Sequence, residues 1–146
     1  MARVNRRLEE LATKDFLTDL VNRRRFFERL EADMAEARTK RIGLSVVIFD
    51  LDFFKRINDT FGHDSGDTVL RNTALRVREL LRSSDCAARF VGEEFIILLH
   101  ETRIDAAMAT AEIVRAKIAS APYEIVGAVS ASFGVTEWDP RKTRNR

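Results

Sequence analysis

The chain has 146 residues, of which 45% are hydrophobic and 33% are charged, and its formal net charge is +2. These values are those of one globular domain able to bury its own core, and the small net charge argues against a nucleic-acid binder. No apolar run is long enough for a membrane span or a secretory leader. The single cysteine, Cys86, excludes an intramolecular disulfide. We expect a buried thiol and a cytoplasmic protein.

The first 14 residues contain no glycine and carry apolar side chains at heptad-like spacing, at Val4, Leu8 and Leu11. This spacing predicts a helix with one narrow apolar stripe. We expect residues 1–14 to form a linker-type helix and residues 15–146 to form one folded domain.

A polar turn at Thr18-Asp19 precedes a helix that is predicted from Arg23 to about Thr39, with Asn22 as its N-cap. The next element is the apolar run from Gly43 to Leu51, which predicts a buried strand. This strand ends in two acidic residues, one at position 50 and one at position 52. The two-residue period of a strand places both on one face.

The segment from Phe53 to Asp59 is predicted to be a loop. Backbone N–H groups just past a strand end can hold phosphate oxygens, and Lys55 can add a positive charge. Two glycines and a histidine within residues 62–66 mark a turn. A helix with a broad apolar stripe is then predicted from Asp67 to Arg82.

Two apolar runs between Cys86 and His100 flank a short acidic break, a pattern that predicts a β-hairpin. Gly92 followed by Glu93 suits a two-residue type II′ turn. The apolar run Phe95–Leu99 predicts a strand covered on both faces. The tip carries two adjacent carboxylates, Glu93 and Glu94, which are costly to bury together without a cation.

An acidic strand end beside an acidic hairpin tip suits metal-dependent phosphoryl or nucleotidyl transfer, because hard divalent cations prefer carboxylate oxygens. The alternative is that these carboxylates only solvate the strand ends. Further along the chain, an alanine-rich helix is predicted from Ile104 to Ala121, before Pro122, and a strand from Ala128 to Thr136.

Four segments together resemble the GGDEF family of diguanylate cyclases, in that family's order and spacing. They are L-T-D-L-V-N-R-R-R-F at Leu17–Phe26, F-D-L-D-F-F-K-R-I-N-D-T-F-G-H-D-S-G-D at Phe49–Asp67, R-S-S-D at Arg82–Asp85 and R-F-V-G-E-E-F at Arg89–Phe95. The resemblance covers about Asp15 to Val135. It implies an α+β fold like that of nucleotidyl cyclases and polymerase palms, a β-α-β-β-α-β sheet with packed helices.

The resemblance also implies an activity: two facing subunits of a homodimer condense two GTP molecules into cyclic di-GMP and pyrophosphate. It implies that Asp50 and Glu93 bind Mg²⁺ (or Mn²⁺), and that Glu94 and Lys55 join Glu93 as catalytic residues. The substrate-binding residues that it implies are Phe53, Phe54, Asn58, Asp67 and Gly92.

Within that set, the resemblance places Asn58 and Asp67 at the guanine edge. The chemistry fits, because guanine offers N–H donors to a carboxylate and both a donor and an acceptor to an amide. The alternative makes Asn58 a helix or turn cap and Asp67 the N-cap of the following helix.

The R-x-x-D motif, Arg82 to Asp85, stands five residues before the hairpin motif, and the resemblance implies that it is the inhibitory site that binds cyclic di-GMP. Arginine offers a planar fork to phosphate or guanine, and aspartate accepts from guanine N–H groups. The alternative is an ordinary surface ion pair. A second arginine, contributed by a neighbouring chain, is not identified.

Two departures from the family pattern predict reduced activity. Val91 replaces the first glycine of the motif, and a β-branched residue is poorly suited to a positive φ or to close approach by a nucleotide. The family's C-terminal helix, with its phosphate-binding lysine and arginine, has no match in Trp138–Arg146, where only Lys142 or Arg144 could substitute. We therefore expect an exposed apolar patch, and hence dimerisation, a partner protein or reduced stability.

Two alternatives to the cyclase stay open: a catalytically inactive receptor that binds cyclic di-GMP through Arg82 and Asp85, and a protein-interaction domain that docks on a signalling partner. A cyclase acting on ATP fits less well, because Asn58 and Asp67 suit guanine.

Overall fold

The structure is a computed structural model that describes residues 13–142. The helix predicted over residues 1–14 lies outside the described residues, apart from Thr13 and Lys14, and so does Arg144. The elements, in chain order, are α1 (Arg23–Lys40), β1 (Leu44–Leu51), α2 (Phe54–Phe61), α3 (His63–Arg78), β2 (Cys86–Arg89), β3 (Glu94–Leu99), α4 (Ile104–Ile118) and β4 (Ala131–Trp138).

The four strands form one sheet in the order β2-β3-β1-β4, and each neighbouring pair is antiparallel. β1 is therefore a central strand, flanked by β3 and β4. This arrangement confirms the predicted α+β fold with its β-α-β-β-α-β order. The one difference is that two helices, α2 and α3, follow β1 where a single helix was predicted.

Side chains alternate along the strands, so the sheet has two apolar faces. One face packs against α3 and α4, and Val47, Phe49 and Ile97 are among its buried strand residues. The opposite face packs against α1 through residues such as Phe26 and Leu98. Because both faces of β1 and β3 are covered over most of their length, polar chemistry is confined to the strand ends.

Helix α2 occupies the segment that was predicted to be a loop. The apolar residues Phe54, Ile57 and Phe61 have the spacing of one helical face, and Phe54 is buried in the core. Gly62, with a φ of 93°, ends α2 and separates it from α3 by a single residue. Glycine is suited to this break because it adopts positive φ without steric cost.

As a result, α3 begins at His63, four residues before the predicted start at Asp67. His63 and Gly66 lie inside the helix, and Asp67 is an interior residue of α3, so its alternative role as an N-cap is wrong. The helix ends at Arg78, before the predicted end at Arg82.

Two smaller predictions are confirmed. The Asn22 side chain caps α1 by accepting from the Arg25 N–H at 2.9 Å. Cys86 is buried, and this burial raises the pKa of its thiol. Over residues 13–142, no helix has the length and apolar character needed to cross a bilayer.

Ile97 is fully buried in β3, whereas Ile113 is an exposed residue of α4. We predict that Ile97→Ala lowers the free energy of unfolding by about 2–5 kcal/mol, because it removes buried apolar surface and leaves a cavity. Ile113→Ala makes the same chemical change at the surface and should alter that free energy by less than about 0.5 kcal/mol. Urea unfolding measures both variants, and equal losses would contradict the packing of β3.

Candidate active site

The pairing of β1 with β3 brings two acidic segments of the sequence together. Asp50 lies opposite Glu94 in the register of these strands, and the Leu51 N–H donates to the Glu93 carbonyl at 3.3 Å. Asp50, Glu93 and Glu94, named here the acidic edge, therefore meet at one end of the sheet. The prediction of a metal site required the acidic strand end and the acidic hairpin tip to be neighbours, and the register makes them so.

Within residues 13–142, the three carboxylates of the acidic edge have no hydrogen-bond or ion-pair partner. Asp52, two residues beyond Asp50, differs because both of its carboxylate oxygens have hydrogen-bond partners. Its Oδ1 accepts from the Ser132 hydroxyl at 2.6 Å and its Oδ2 from the Ser130 hydroxyl at 2.7 Å. Asp52 is thus engaged in fixing β4 to the end of β1, and Asp50 stays available to a ligand.

Asp50 and Glu94 line a cavity of about 200 Å³, together with Ser132 and Gly134 of β4. Unpaired carboxylate oxygens beside open space are the donors that hard divalent cations prefer. Among the described residues, the three carboxylates do not all lie within 4.8 Å of one another. An ion here would be held by some of them together with substrate oxygens, as Mg²⁺ commonly is. The acidic edge fits a divalent ion of that kind.

The hairpin turn has the predicted chemistry. The Glu94 N–H donates to the Val91 carbonyl at 2.9 Å, which closes a turn with Gly92 and Glu93 at its centre. Gly92 has a φ of 54° and Glu93 does not have positive φ, the combination of a type II′ turn. Val91 is not in the left-handed region either and is 62% exposed, so valine introduces no left-handed strain at this position.

The junction between β1 and α2 carries backbone strain. Phe53 has φ 58° and ψ 28°, which is unusual for a bulky residue, and α2 begins at the next residue, Phe54. A left-handed residue followed by a right-handed one turns successive N–H groups into a concave anion site. Phe53 is the N-cap residue of α2, and no side-chain hydrogen bond caps the helix at this position. The ammonium of Lys55 lies 3.3 Å from Asp59 and is 91% exposed, so it is free to move towards an anion.

Asn58 and Asp67 lie on the two neighbouring helices α2 and α3. The Asn58 Oδ1 is buried and has no hydrogen-bond partner within residues 13–142. Gly66, next to Asp67, allows this close packing, since a Cβ at Gly66 would lie 1.9 Å from that oxygen. An unpaired buried amide oxygen costs about 1–3 kcal/mol, which a bound donor would recover. The side chain therefore does not serve as the cap that the alternative proposed.

The guanidinium of Arg89 links the hairpin to the loop before α1, a contact that the sequence analysis did not find. Its Nε donates to the Gly92 carbonyl at 2.7 Å, and its Nη1 lies 3.3 Å from the Asp15 carboxylate. Asp15 also accepts from the N–H and hydroxyl of Thr18, at 2.9 and 2.7 Å. Arg89 begins one of the family motifs and Asp15 lies two residues before another, but the two residues are 74 positions apart.

Arg82 and Asp85 form the predicted pair at the opposite end of β3. The Arg82 Nη2 donates to the Asp85 Oδ1 at 2.7 Å and to the His100 carbonyl at 3.1 Å. The Asp85 side chain is only 4% exposed, whereas Arg82 is largely exposed. The hydrogen bond that Arg82 donates to Asp85 raises the pKa of its guanidinium. A cavity of about 580 Å³, lined also by Thr102 and Arg103, opens beside Arg82.

We predict that Arg89→Ala lowers the free energy of unfolding by about 1.5–3 kcal/mol, the range for hydrogen bonds to charged groups. Hydrogen exchange at residues 90–94 should become faster, because the variant frees the hairpin tip from Asp15. Arg71→Ala replaces an exposed arginine of α3 and serves as the control. Unchanged exchange at the hairpin in Arg89→Ala would contradict this contact.

Comparisons with known proteins agree with this geometry. Diguanylate cyclase DgcP of Pseudomonas aeruginosa is 41% identical over 131 residues, which cover 88% of this chain and 20% of that protein. The chain therefore spans about a fifth of the length of this curated relative.

Two solved structures are close in fold. The crystal structure of the coiled coil and GGDEF domain of DgcB from Caulobacter crescentus, in complex with cyclic di-GMP, matches with a TM-score of 0.86 at 29% identity. The match covers 97% of this chain and 79% of that one. Diguanylate cyclase SiaD of Pseudomonas aeruginosa, in complex with its activator SiaC, matches with a TM-score of 0.86 at 38% identity, over 98% of this chain and 56% of that one.

A family model described as diguanylate cyclase, GGDEF domain, matches residues 12–146, nearly the whole chain. Its match includes the β1–β3 pair, the α2–α3 junction and the Arg82–Asp85 motif. The chain belongs to the GGDEF family.

Proposed function

We propose that this chain condenses two molecules of GTP into cyclic di-GMP with release of pyrophosphate, in the cytoplasm. The observation that carries the proposal is the acidic edge: three carboxylates that the β1–β3 pairing holds together with no counter-charge among residues 13–142. The name of the relative DgcP, a diguanylate cyclase, supports the same activity.

Asp50 and Glu93 would hold Mg²⁺ or Mn²⁺ at the acidic edge. When bound, the ion supplies Lewis-acid chemistry that polarises the α-phosphate and lowers the pKa of the attacking 3′-hydroxyl. Glu94, which lies opposite Asp50 and has no partner within residues 13–142, would accept the proton of that hydroxyl.

The triphosphate would lie on the N–H groups at the β1–α2 junction, from Phe53 and Phe54, near the Gly92 turn. The left-handed Phe53 supports this role because it creates the concave N–H surface. Lys55 would leave Asp59 to neutralise the departing pyrophosphate. The buried Asn58 oxygen would accept from guanine, and Asp67 would accept from its other N–H groups.

In the reaction, each 3′-oxygen forms a bond to the α-phosphorus of the other GTP, and the bond from that phosphorus to the pyrophosphate oxygen breaks. Two GTP thus yield one cyclic di-GMP and two pyrophosphates. Because each domain would hold one GTP, two chains must face each other as a homodimer. Because two subunits must meet before they react, the rate of cyclic di-GMP formation would depend on protein concentration.

We further propose that turnover is slow. Two described cations of the C-terminal segment are engaged with acidic neighbours: the Arg141 Nη2 lies 2.8 Å from Asp139, and the Lys142 Nζ lies 3.9 Å from Glu137. They are therefore poorly placed to hold a triphosphate in addition. Val91 adds no left-handed strain. The valine in place of glycine therefore contributes less to the expected slow turnover than the engaged C-terminal cations do.

We predict that Glu93→Gln lowers the rate of cyclic di-GMP formation by about 10²-fold or more, because it removes one charge from the proposed metal site. Chromatography of the nucleotides after incubation with GTP and Mg²⁺ measures the product. Glu112→Gln, on the exposed face of α4, makes the same change away from the site and should keep the parent rate. Equal product from Glu93→Gln and the parent would overturn the proposed role of the acidic edge.

A second candidate function is that of a receptor for cyclic di-GMP. The supporting observation is the exposed guanidinium of Arg82, fixed by the buried Asp85 beside a cavity of about 580 Å³. The complex of DgcB with cyclic di-GMP supports the ligand, and the complex of SiaD with SiaC supports a signalling partner. In an active cyclase the same pair would be the product-inhibition site.

We predict that Arg82→Ala weakens cyclic di-GMP binding at least tenfold, because charge-assisted contacts of arginine to phosphate are lost, a change of about 1.4 kcal/mol. Isothermal titration calorimetry measures the affinity, with Arg71→Ala as the control. A cyclase keeps its GTP turnover in this variant and loses product inhibition, whereas a receptor shows binding without turnover in the parent. An unchanged affinity for cyclic di-GMP in Arg82→Ala would contradict a role for Arg82 both in a receptor site and in a product-inhibition site.

A further inference from the structure

The chain at the end of β1 is fixed from both sides by hydrogen bonds. The Leu51 N–H donates to the Glu93 carbonyl at 3.3 Å, and the Asp52 N–H donates to the Ser130 carbonyl at 2.9 Å. The Asp52 carboxylate also accepts from the hydroxyls of Ser130 and Ser132, at 2.7 and 2.6 Å. We name Asp52, Ser130 and Ser132 the serine clamp. Its hydrogen bonds hold both the backbone and the side chain of Asp52 against the start of β4.

The alternation of side chains before and within β4 builds the serine clamp. Val129 and Ala131 are buried in the core, so the intervening Ser130 and the following Ser132 point to the opposite side. Both hydroxyls reach the same carboxyl group, one on each oxygen. A side chain that accepts from two separate donors is held in one rotamer, and this restricts the backbone of Asp52 as well.

The residue after Asp52 has a strained backbone that its own side chain does not explain. Phe53 has φ 58° and ψ 28°, a conformation that bulky residues rarely adopt. Its side chain is 69% exposed, and the Arg56 guanidinium lies 5.1 Å from the centre of the ring. Little apolar surface is therefore buried at Phe53 to offset the strain. Such conformations persist only where the surrounding structure determines them.

The residues on the two sides of Phe53 impose its conformation. On one side, the serine clamp holds Asp52. On the other side, Phe54 is buried in the core and begins α2, and the Ile57 N–H donates to the Phe53 carbonyl at 3.1 Å. A chain that is fixed at Asp52 and again at Phe54 has a single residue in which to change direction. The left-handed conformation of Phe53 makes this turn and gives the N–H groups of residues 53 and 54 their concave arrangement.

We propose that Asp52 is a positioning residue for the nucleotide: through the serine clamp, it maintains the anion site at the N–H groups of Phe53 and Phe54. This inference rests on the proposed binding of the triphosphate at that junction. Both oxygens of Asp52 already accept from serines, so Asp52 acts through the backbone rather than as a ligand of the ion. Asp50 supplies a carboxylate to the ion, and Asp52 maintains the backbone geometry for the phosphates.

The test uses the freedom of glycine to adopt positive φ. Phe53→Gly removes both the ring and the strain, whereas Phe53→Ala removes the ring and keeps the strain. We expect Asp52→Ala to weaken nucleotide binding about tenfold or more, both in the parent and in Phe53→Ala. In Phe53→Gly the same change should weaken binding by less than about threefold, because glycine keeps the turn without the clamp.

The probe is a non-reacting GTP analogue with a methylene group between its α- and β-phosphates, titrated by calorimetry in the presence of Mg²⁺. Asp105→Ala removes an exposed aspartate of α4, serves as the control and should bind as the parent does. Without nucleotide, hydrogen exchange at the Ile57 amide should become faster in Asp52→Ala and recover when Phe53→Gly is added. Circular dichroism verifies that each variant is folded.

An unchanged affinity in Asp52→Ala, or an equal loss in the Phe53→Gly and Phe53→Ala backgrounds, would overturn the inference. Absence of binding by the parent would overturn it together with the proposed triphosphate site. None of these measurements needs turnover. A chain that binds the analogue in the expected Asp52-dependent way but forms no cyclic di-GMP would support the role of Asp52 and contradict the proposed cyclase. A chain that forms cyclic di-GMP equally well with Asp52→Ala would do the reverse.

Discussion

The antiparallel register between β1 and β3 is the constraint on which the rest of the site depends. It sets Asp50 directly opposite Glu94, a like-charge pair that is destabilising by itself. The register persists because the apolar pairs behind it are buried on both faces, and a slip of one residue would turn them all to the wrong side. The ring of Phe49 stacks on Phe95 at 4.9 Å and on Phe133 at 4.8 Å, directly behind the carboxylates. The core thus holds the two like charges side by side, and a bound cation would relieve their repulsion.

The acidic side chains at the two ends of β3 differ in whether nearby cations neutralise them. This difference bears on the function of each end. Near the C-terminal end of β3, Arg29 lies 3.0 Å from Asp33 and Lys40 lies 2.8 Å from Glu36, so these carboxylates are balanced without a ligand. At the acidic edge, no cation of the described chain does so, while Asp52 is satisfied by two serine hydroxyls. The selective absence of partners at the acidic edge is what an ion completed by substrate phosphates requires. Carboxylates that only solvate a strand end would not need a buried core to hold them side by side.

Much of this architecture could be predicted from the sequence, because strands, hairpin turn and helix caps depend on local pattern. Gly92 in the turn and Asn22 at the cap are examples in which residue type alone specifies the conformation. The α2 helix was missed because its apolar residues are few and its first residue follows a strained Phe53. The Arg89–Asp15 contact and the serines on Asp52 join positions more than 70 residues apart, which local pattern cannot reveal. Only the folded sheet brings them together.

The most direct test of the acidic edge is the uptake of Mn²⁺ by the purified chain, followed by electron paramagnetic resonance of the free ion. The titration would be made with and without a non-reacting GTP analogue, for the parent and for Asp50→Asn. We predict strong uptake by the parent only when the nucleotide is present, and its loss in Asp50→Asn. Equal uptake by both proteins, or uptake by the parent that ignores the nucleotide, would contradict a metal site shared between these carboxylates and the substrate.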